Sequence, residues 1–146
     1  MKIFILVILS VVVTLFLVSC MTGSDTESQK IEDLIQVLRV SDTIDSNTYR
    51  NYFIDDTNMT RYQFQTNILN QIKQHVDSSN QIHVYSYKLA KEKELKGLLD
   101  IEEYENVYII EINKETSDKL FYFLMRENKV KSLCPMKKGN VIIGWL

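Results

Sequence analysis

The hydrophobic pattern of the chain changes its period once, near residue 80, and this change constrains the fold more than any other feature. Before it, apolar residues recur three and four positions apart, as in Ile31, Leu34, Ile35 and Leu38, which is the spacing of one helix face. After it, apolar and polar residues alternate, which is typical of strands. Helices followed by an antiparallel sheet predict an α+β domain with the helices packed on the sheet.

Three helices are predicted before the change of period. The first covers 26–40, and Asp45 or Ser46 is expected to cap a short second helix. The third begins near Thr60, which with Gln63 fits a capping box. Its apolar stripe consists of Phe64, Ile68, Leu69, Ile72 and Val76.

About five strands are predicted after it, joined as an antiparallel meander. They cover 81–89, 106–112, 119–126, 129–134 and 141–146. Segment 90–99 is ambiguous, and its composition favours a helical turn or two. Glu127-Asn128 suits a tight hairpin because Asn tolerates a positive φ. That hairpin places one set of residues on the core face of the sheet, namely Phe121, Phe123, Met125, Val130, Ser132 and Cys134.

An apolar segment at the N-terminus determines the expected cellular location. Residues 3–18 are interrupted only by Ser10 and Thr14, Lys2 precedes them, and the next Lys or Arg is Lys30. As a helix this segment is about 24 Å long, shorter than a bilayer core of roughly 30 Å and close to the apolar part of a signal peptide. The charge asymmetry predicts that the rest of the chain is exported.

The apolar segment ends in Leu17-Val18-Ser19-Cys20, which resembles the lipobox of bacterial lipoproteins. The resemblance implies cleavage between Ser19 and Cys20 and a diacylglycerol on the Cys20 thiol. It also implies a signal peptide over 1–19, a lipidated cysteine with a flexible tether over 20–29, and one domain over 30–146. The expected location is the cell envelope, facing the periplasm or the exterior, on the outer membrane if the cell is Gram-negative. The alternative is an uncleaved signal anchor.

The order of elements over 30–146 resembles cystatin-like and nuclear-transport-factor-like domains. The resemblance implies a layer of helices against one antiparallel sheet. It rests on element order alone and carries no motif, so no functional residue is transferred from it.

Common motifs of catalytic, phosphate and metal sites are absent from the sequence. There is no glycine-rich phosphate loop, HExxH, CxxC or GxSxG, so no catalytic residue, cofactor or metal site is predicted. The net charge of −2 argues against a nucleic-acid partner, which requires a basic face. With lipid on Cys20, Cys134 has no intramolecular partner, and we interpret it as a small buried residue.

These features predict a non-enzymatic binding or accessory module held on a membrane by lipid on Cys20. Its ligand would be a protein or a small apolar molecule, and a homodimer is possible if the strand 141–146 lies at a sheet edge. One alternative is a small-cavity enzyme in which His83 pairs with an acid such as Asp55 or Asp56. The other is an inhibitor or immunity lipoprotein. His75 is expected to interact with the C-terminal end of the third helix.

Overall fold

The computed structural model describes residues 26–41, 44–55, 58–76, 81–113 and 118–146. Three helices come first: α1 (Thr26–Val40), α2 (Ser46–Tyr52) and α3 (Met59–His75). The rest of the chain forms β1 (Gln81–Ser86), α4 (Tyr87–Glu92), β2 (Asp100–Ile101), β3 (Val107–Asn113), β4 (Lys119–Arg126), β5 (Lys129–Ser132), β6 (Pro135–Lys138) and β7 (Val141–Trp145). The predicted α+β class is confirmed.

The strands form two sheets. The main sheet is antiparallel with the order β1-β3-β4-β5, and the small sheet has the order β2-β7-β6. In the small sheet, β7 pairs antiparallel with β6 and parallel with β2. Pro135 opens β6, a position where its missing N–H is tolerated. The chain therefore changes sheets between Ser132 and Pro135.

Both faces of the main sheet are covered. Helices α1, α2 and α3 bury one face in a first core, and α4 with the small sheet buries the other face in a second core. On β3, Tyr108, Ile110 and Ile112 belong to the first core, whereas Val107 and Ile109 belong to the second. This explains why β3 is apolar almost without alternation, since a strand buried on both faces needs apolar side chains on both.

The predicted apolar face of α1 packs on the sheet, whereas the predicted stripe of α3 is wrong at Phe64, which is 50% exposed. Residues of α1 with a helical spacing are almost fully buried, namely Ile31, Leu34, Ile35 and Leu38. Gln65 on α3 is 2% exposed and links three elements. Its Oε1 accepts a hydrogen bond of 2.9 Å from the Tyr49 hydroxyl, and its Nε2 donates one of 3.2 Å to the Lys131 carbonyl. These bonds satisfy a buried amide that would otherwise destabilise the core.

The second core contains two tyrosines that hold the segment before and within β2. Tyr87 is 1% exposed; its hydroxyl donates to the Leu99 carbonyl and accepts from the Ile101 N–H, both at 3.1 Å. The Tyr122 hydroxyl accepts from the Leu99 N–H at 2.9 Å. Burial is the main reason that the pKa of Tyr122 is raised above its usual value.

Two boundaries differ from the sequence prediction for local reasons. Strand β1 ends at Ser86 and not at Leu89, because the Ser86 side chain caps α4 by accepting from the Leu89 N–H. Helix α3 begins at Met59, capped by Asn58 rather than by Thr60.

The predicted hairpin between β4 and β5 is confirmed. Glu127 and Asn128 have φ values of 55° and 59°, as a two-residue turn with positive φ at both positions requires. The Asn128 side chain also contacts the start of the helical layer, since the Thr26 hydroxyl donates to its Oδ1 at 3.1 Å.

The predicted core face of the hairpin is right for four residues and wrong for two. Phe121, Phe123, Met125 and Val130 contact the first core as expected. A bulge then shifts the register so that Ser132 pairs with Leu124, which packs against the second core. Because a bulge inserts one residue, the side chains beyond it change faces, and neither Ser132 nor Cys134 belongs to the first core.

The described residues contain seven strands where about five were predicted, because β2 has only two residues and β6 has four that are mostly exposed. The last strand is flanked on both sides at Val141 and Ile142, so this part of it is not an edge. Within the described residues, no helix is both long and apolar enough to cross a membrane.

Candidate functional site: the β1 edge

Strand β1 forms one end of the main sheet. It pairs with β3 along its whole length, from Gln81 to Ser86, and no described residue pairs with its other side. Its sequence contains no Pro or Lys, and its pairing shows no bulge. Proline, lysine and β-bulges are features by which proteins prevent unwanted pairing of an edge strand, and β1 has none of them. We call this strand side the β1 edge.

Two of the other three sheet ends are protected, and the third, β2, has only two residues. Strand β6 carries Pro135, Lys137 and Lys138, and its pairing with β7 contains a bulge. At the far end of the main sheet, Phe53 bridges to Val130, whose carbonyl accepts from the Ile54 N–H at 3.0 Å. Among the end strands of more than two residues in the described structure, β1 is therefore the least protected.

A groove lies beside the β1 edge on the helical face of the sheet. It has a volume of about 160 Å³ between α1 and β1. Its lining is Glu32, Ile35, Gln36, Arg39, Ile82 and Val84. Glu32 and Arg39 are seven residues apart, about two helical turns or 10 Å along α1, so opposite charges flank an apolar centre.

The opposite face of the β1 edge carries a polar and aromatic cluster. The rings of His83 and Tyr85 stack with centroids 5.9 Å apart, and Glu111 is the cross-strand neighbour of His83. The Lys93 ammonium lies 5.6 Å from the centroid of the Tyr85 ring. Burial, followed by the charge of Glu111 and a hydrogen bond to it, raises the pKa of Tyr85.

This arrangement suits the addition of an extended chain. A strand placed beside β1 would bond to the outward backbone groups, and its side chains would alternate between the groove and the His83–Tyr85 face. Backbone pairing would supply affinity, and the two different faces would supply selectivity.

The structure does not bring His83 and Asp55 together. Asp55 follows Phe53 at the opposite end of the main sheet, and four strand spacings of about 4.8 Å separate that end from β1. Asp56 lies outside the described residues. His83 is exposed beside Glu111, a carboxylate that sequence analysis missed because strand pairing is not visible in a sequence.

Of the other residues considered in the sequence analysis, His75 lies in the described structure and two lie outside it. His75 Nδ1 lies 2.9 Å from the Gln71 carbonyl oxygen, and its ring contacts Phe121 at 6.0 Å, so it lies at the end of α3 as expected. Ser19 and Cys20, the predicted cleavage and lipidation residues, lie outside the described residues.

Cys134 lies where the chain passes between the sheets. It is 6% exposed, its N–H donates to Ser132 Oγ at 3.1 Å, and its carbonyl accepts from the Leu146 N–H at 3.0 Å. Burial raises the pKa of the thiol, and the charge of Arg61 offsets part of the rise. These observations confirm that Cys134 is buried.

We expect the Cys134 thiol to react slowly in the folded protein. Burial limits access and the raised pKa lowers the thiolate fraction, and the thiolate is the reactive form. Alkylation by iodoacetamide at pH 8, followed by intact mass spectrometry, should be at least about tenfold slower in buffer than in denaturant. Equal rates would contradict the position given for this residue.

Among the described residues, no group of three or more His, Cys, Asp or Glu side chains is arranged to hold a metal ion. The chain matches no protein-family model, no curated protein and no solved structure.

Proposed function

We propose that this protein is an exported lipoprotein, held on a membrane by lipid on Cys20, that binds an extended segment of a protein partner along the β1 edge. The unprotected edge is the observation that carries the binding role. The apolar segment ending in Leu17-Val18-Ser19-Cys20 supports the anchor, because its length suits a signal peptide and its last four residues resemble a lipobox.

A protein segment fits the β1 edge better than a small apolar ligand does. The groove of about 160 Å³ is smaller than typical ligand pockets, which measure roughly 300–1,000 Å³. It is also open and flanked by the charged residues Glu32 and Arg39. An extended chain would use the backbone groups of β1 as well, which a small apolar molecule cannot do.

The anchor is tested by Cys20→Ala. Cells fed an alkyne-labelled fatty acid should label the parent protein and not the variant, because the thioether requires the Cys20 sulfur. Cys134→Ser is the matched control and should retain the label. Labelling of Cys20→Ala at the parent level would refute the lipoprotein assignment.

The binding role is tested by photo-crosslinking in cells that produce the full chain. A photoreactive side chain replaces Gln81, at the start of the β1 edge, or Lys137, on the protected edge of β6; both residues are exposed. We expect a discrete crosslinked band from position 81 and not from position 137. Absence of a band at 81, or equal bands at both positions, would overturn the proposal.

A further inference from the structure

The groove beside the β1 edge has two ends of opposite charge with a less polar stretch between them. On α1, Glu32 and Arg39 form its two ends, and Ile35 and Gln36 lie between them. On β1, Ile82 and Val84 lie on either side of His83. Such a surface is complementary to a second copy of itself. A half turn about its centre places the negative end of one copy opposite the positive end of the other.

We propose that the partner at the β1 edge is a second copy of this chain, docked antiparallel about a two-fold axis that passes by His83. The inference rests on the proposed function and names its partner. A two-fold interface uses the same patch on both copies, and an antiparallel strand pair has this symmetry locally. The product would be one eight-stranded sheet made from two main sheets.

The charges of the groove favour this occupant. With His83 opposite His83 of the second copy, Ile82 faces Val84 of the second copy, as an apolar cross-strand pair. On the helical layer, Glu32 of each copy faces Arg39 of the other. The interface therefore gains two opposite-charge contacts and no like-charge contact between groove ends, which favours this orientation over a parallel one.

The backbone of β1 supports the same pairing. Its six residues pair with β3 without a register shift, so alternate N–H and C=O groups point away from the sheet in a regular row. A second β1 presents the same row. Paired antiparallel about His83, the two strands would satisfy both rows over residues 81–85.

A charge exchange on α1 tests the pairing between copies. The mature lipidated chain in detergent is measured by analytical ultracentrifugation as the parent, Glu32→Arg, Arg39→Glu and the double variant. We expect a dimer for the parent, about a tenfold weaker dimer for each single variant, since both contacts become repulsive, and recovery to within about twofold in the double variant. Lys137→Glu, on the β6 edge, is the control and should not change the dimer.

A monomeric parent over the whole concentration range, or a double variant as weak as the single ones, would overturn the inference. The crosslinked band from position 81 separates this failure from failure of the proposed function. A band with the mass of two copies supports the second copy as occupant. A band containing one copy and a different polypeptide retains the binding role and refutes the dimer, and no band at all refutes both.

Discussion

Truncation of Ile109 and of Ile110 should each destabilise the fold by about 2–5 kcal/mol, the usual cost of removing a fully buried isoleucine side chain. The two residues are neighbours on β3 and both are 0% exposed, but Ile109 belongs to the second core and Ile110 to the first. A sheet with one open face would give a large loss for only one of them. Two comparable losses would show that the small sheet and α4 form a true second layer.

The measurement is the free energy of unfolding from urea titration of Ile109→Ala and Ile110→Ala, followed by circular dichroism. Ile143→Ala is the matched control, because this isoleucine on β7 is 64% exposed and its truncation should change stability by less than about 0.5 kcal/mol. If Ile109→Ala behaves like the control, the second core does not exist as described.

Replacing Tyr87 by Phe is expected to lower the free energy of unfolding by about 2–3 kcal/mol, although the ring remains. The hydroxyl donates to the Leu99 carbonyl and accepts from the Ile101 N–H. Its loss leaves these two backbone groups unsatisfied, at a cost of about 1–3 kcal/mol each. Because these groups lie before and within β2, the loss should appear first as faster hydrogen exchange over 98–101.

Tyr104→Phe is the control for this change, since Tyr104 is 44% exposed and its ring touches Tyr87. Its stability should stay within about 0.5 kcal/mol of the parent. An equal loss in both variants would mean that the two hydrogen bonds of the Tyr87 hydroxyl do not specifically hold β2 in place.

The helical half of the fold could be predicted because its information is local. The four apolar residues of α1 define a face by spacing alone, and Asp45 caps α2 by accepting from the Thr48 N–H at 2.7 Å. The turn at Glu127-Asn128 was equally accessible, because positive φ depends on the residues themselves. Each of these features is determined within a few positions of the chain.

The second layer could not be predicted in the same way. A continuous apolar strand such as β3 indicates burial on both faces, but the sequence does not say what covers the second face. That cover comes from α4, β2, β7 and the leucines between α4 and β2, and their contacts with β3 join segments that are distant in the chain. The bulge that redirects Ser132 is likewise a property of the pairing between two strands.

The candidate site was missed for a related reason. His83 was singled out as a titratable residue, whereas the importance of β1 lies in its place at the end of the sheet. Strand order depends on contacts between distant segments, and Glu111 is the cross-strand neighbour of His83 at a separation of 28 residues. The absence of Pro and Lys from β1 was visible, but it has meaning only for an edge strand.

The contact between Thr26 and Asn128 determines how the proposed dimer would rest on a bilayer. It places the start of α1 at the β4–β5 turn, beyond the Ser86 end of β1, since Ser86 pairs with Tyr108 and Tyr108 with Phe123. In an antiparallel dimer the two lipid attachment points therefore leave from diagonally opposite ends. If both copies carry lipid on Cys20 as proposed, the same two-fold axis relates their anchors, so both enter one bilayer when the eight-stranded sheet lies flat along it. The dimer would then be attached to the membrane at two diagonally opposite corners, with its helical layer facing the lipid.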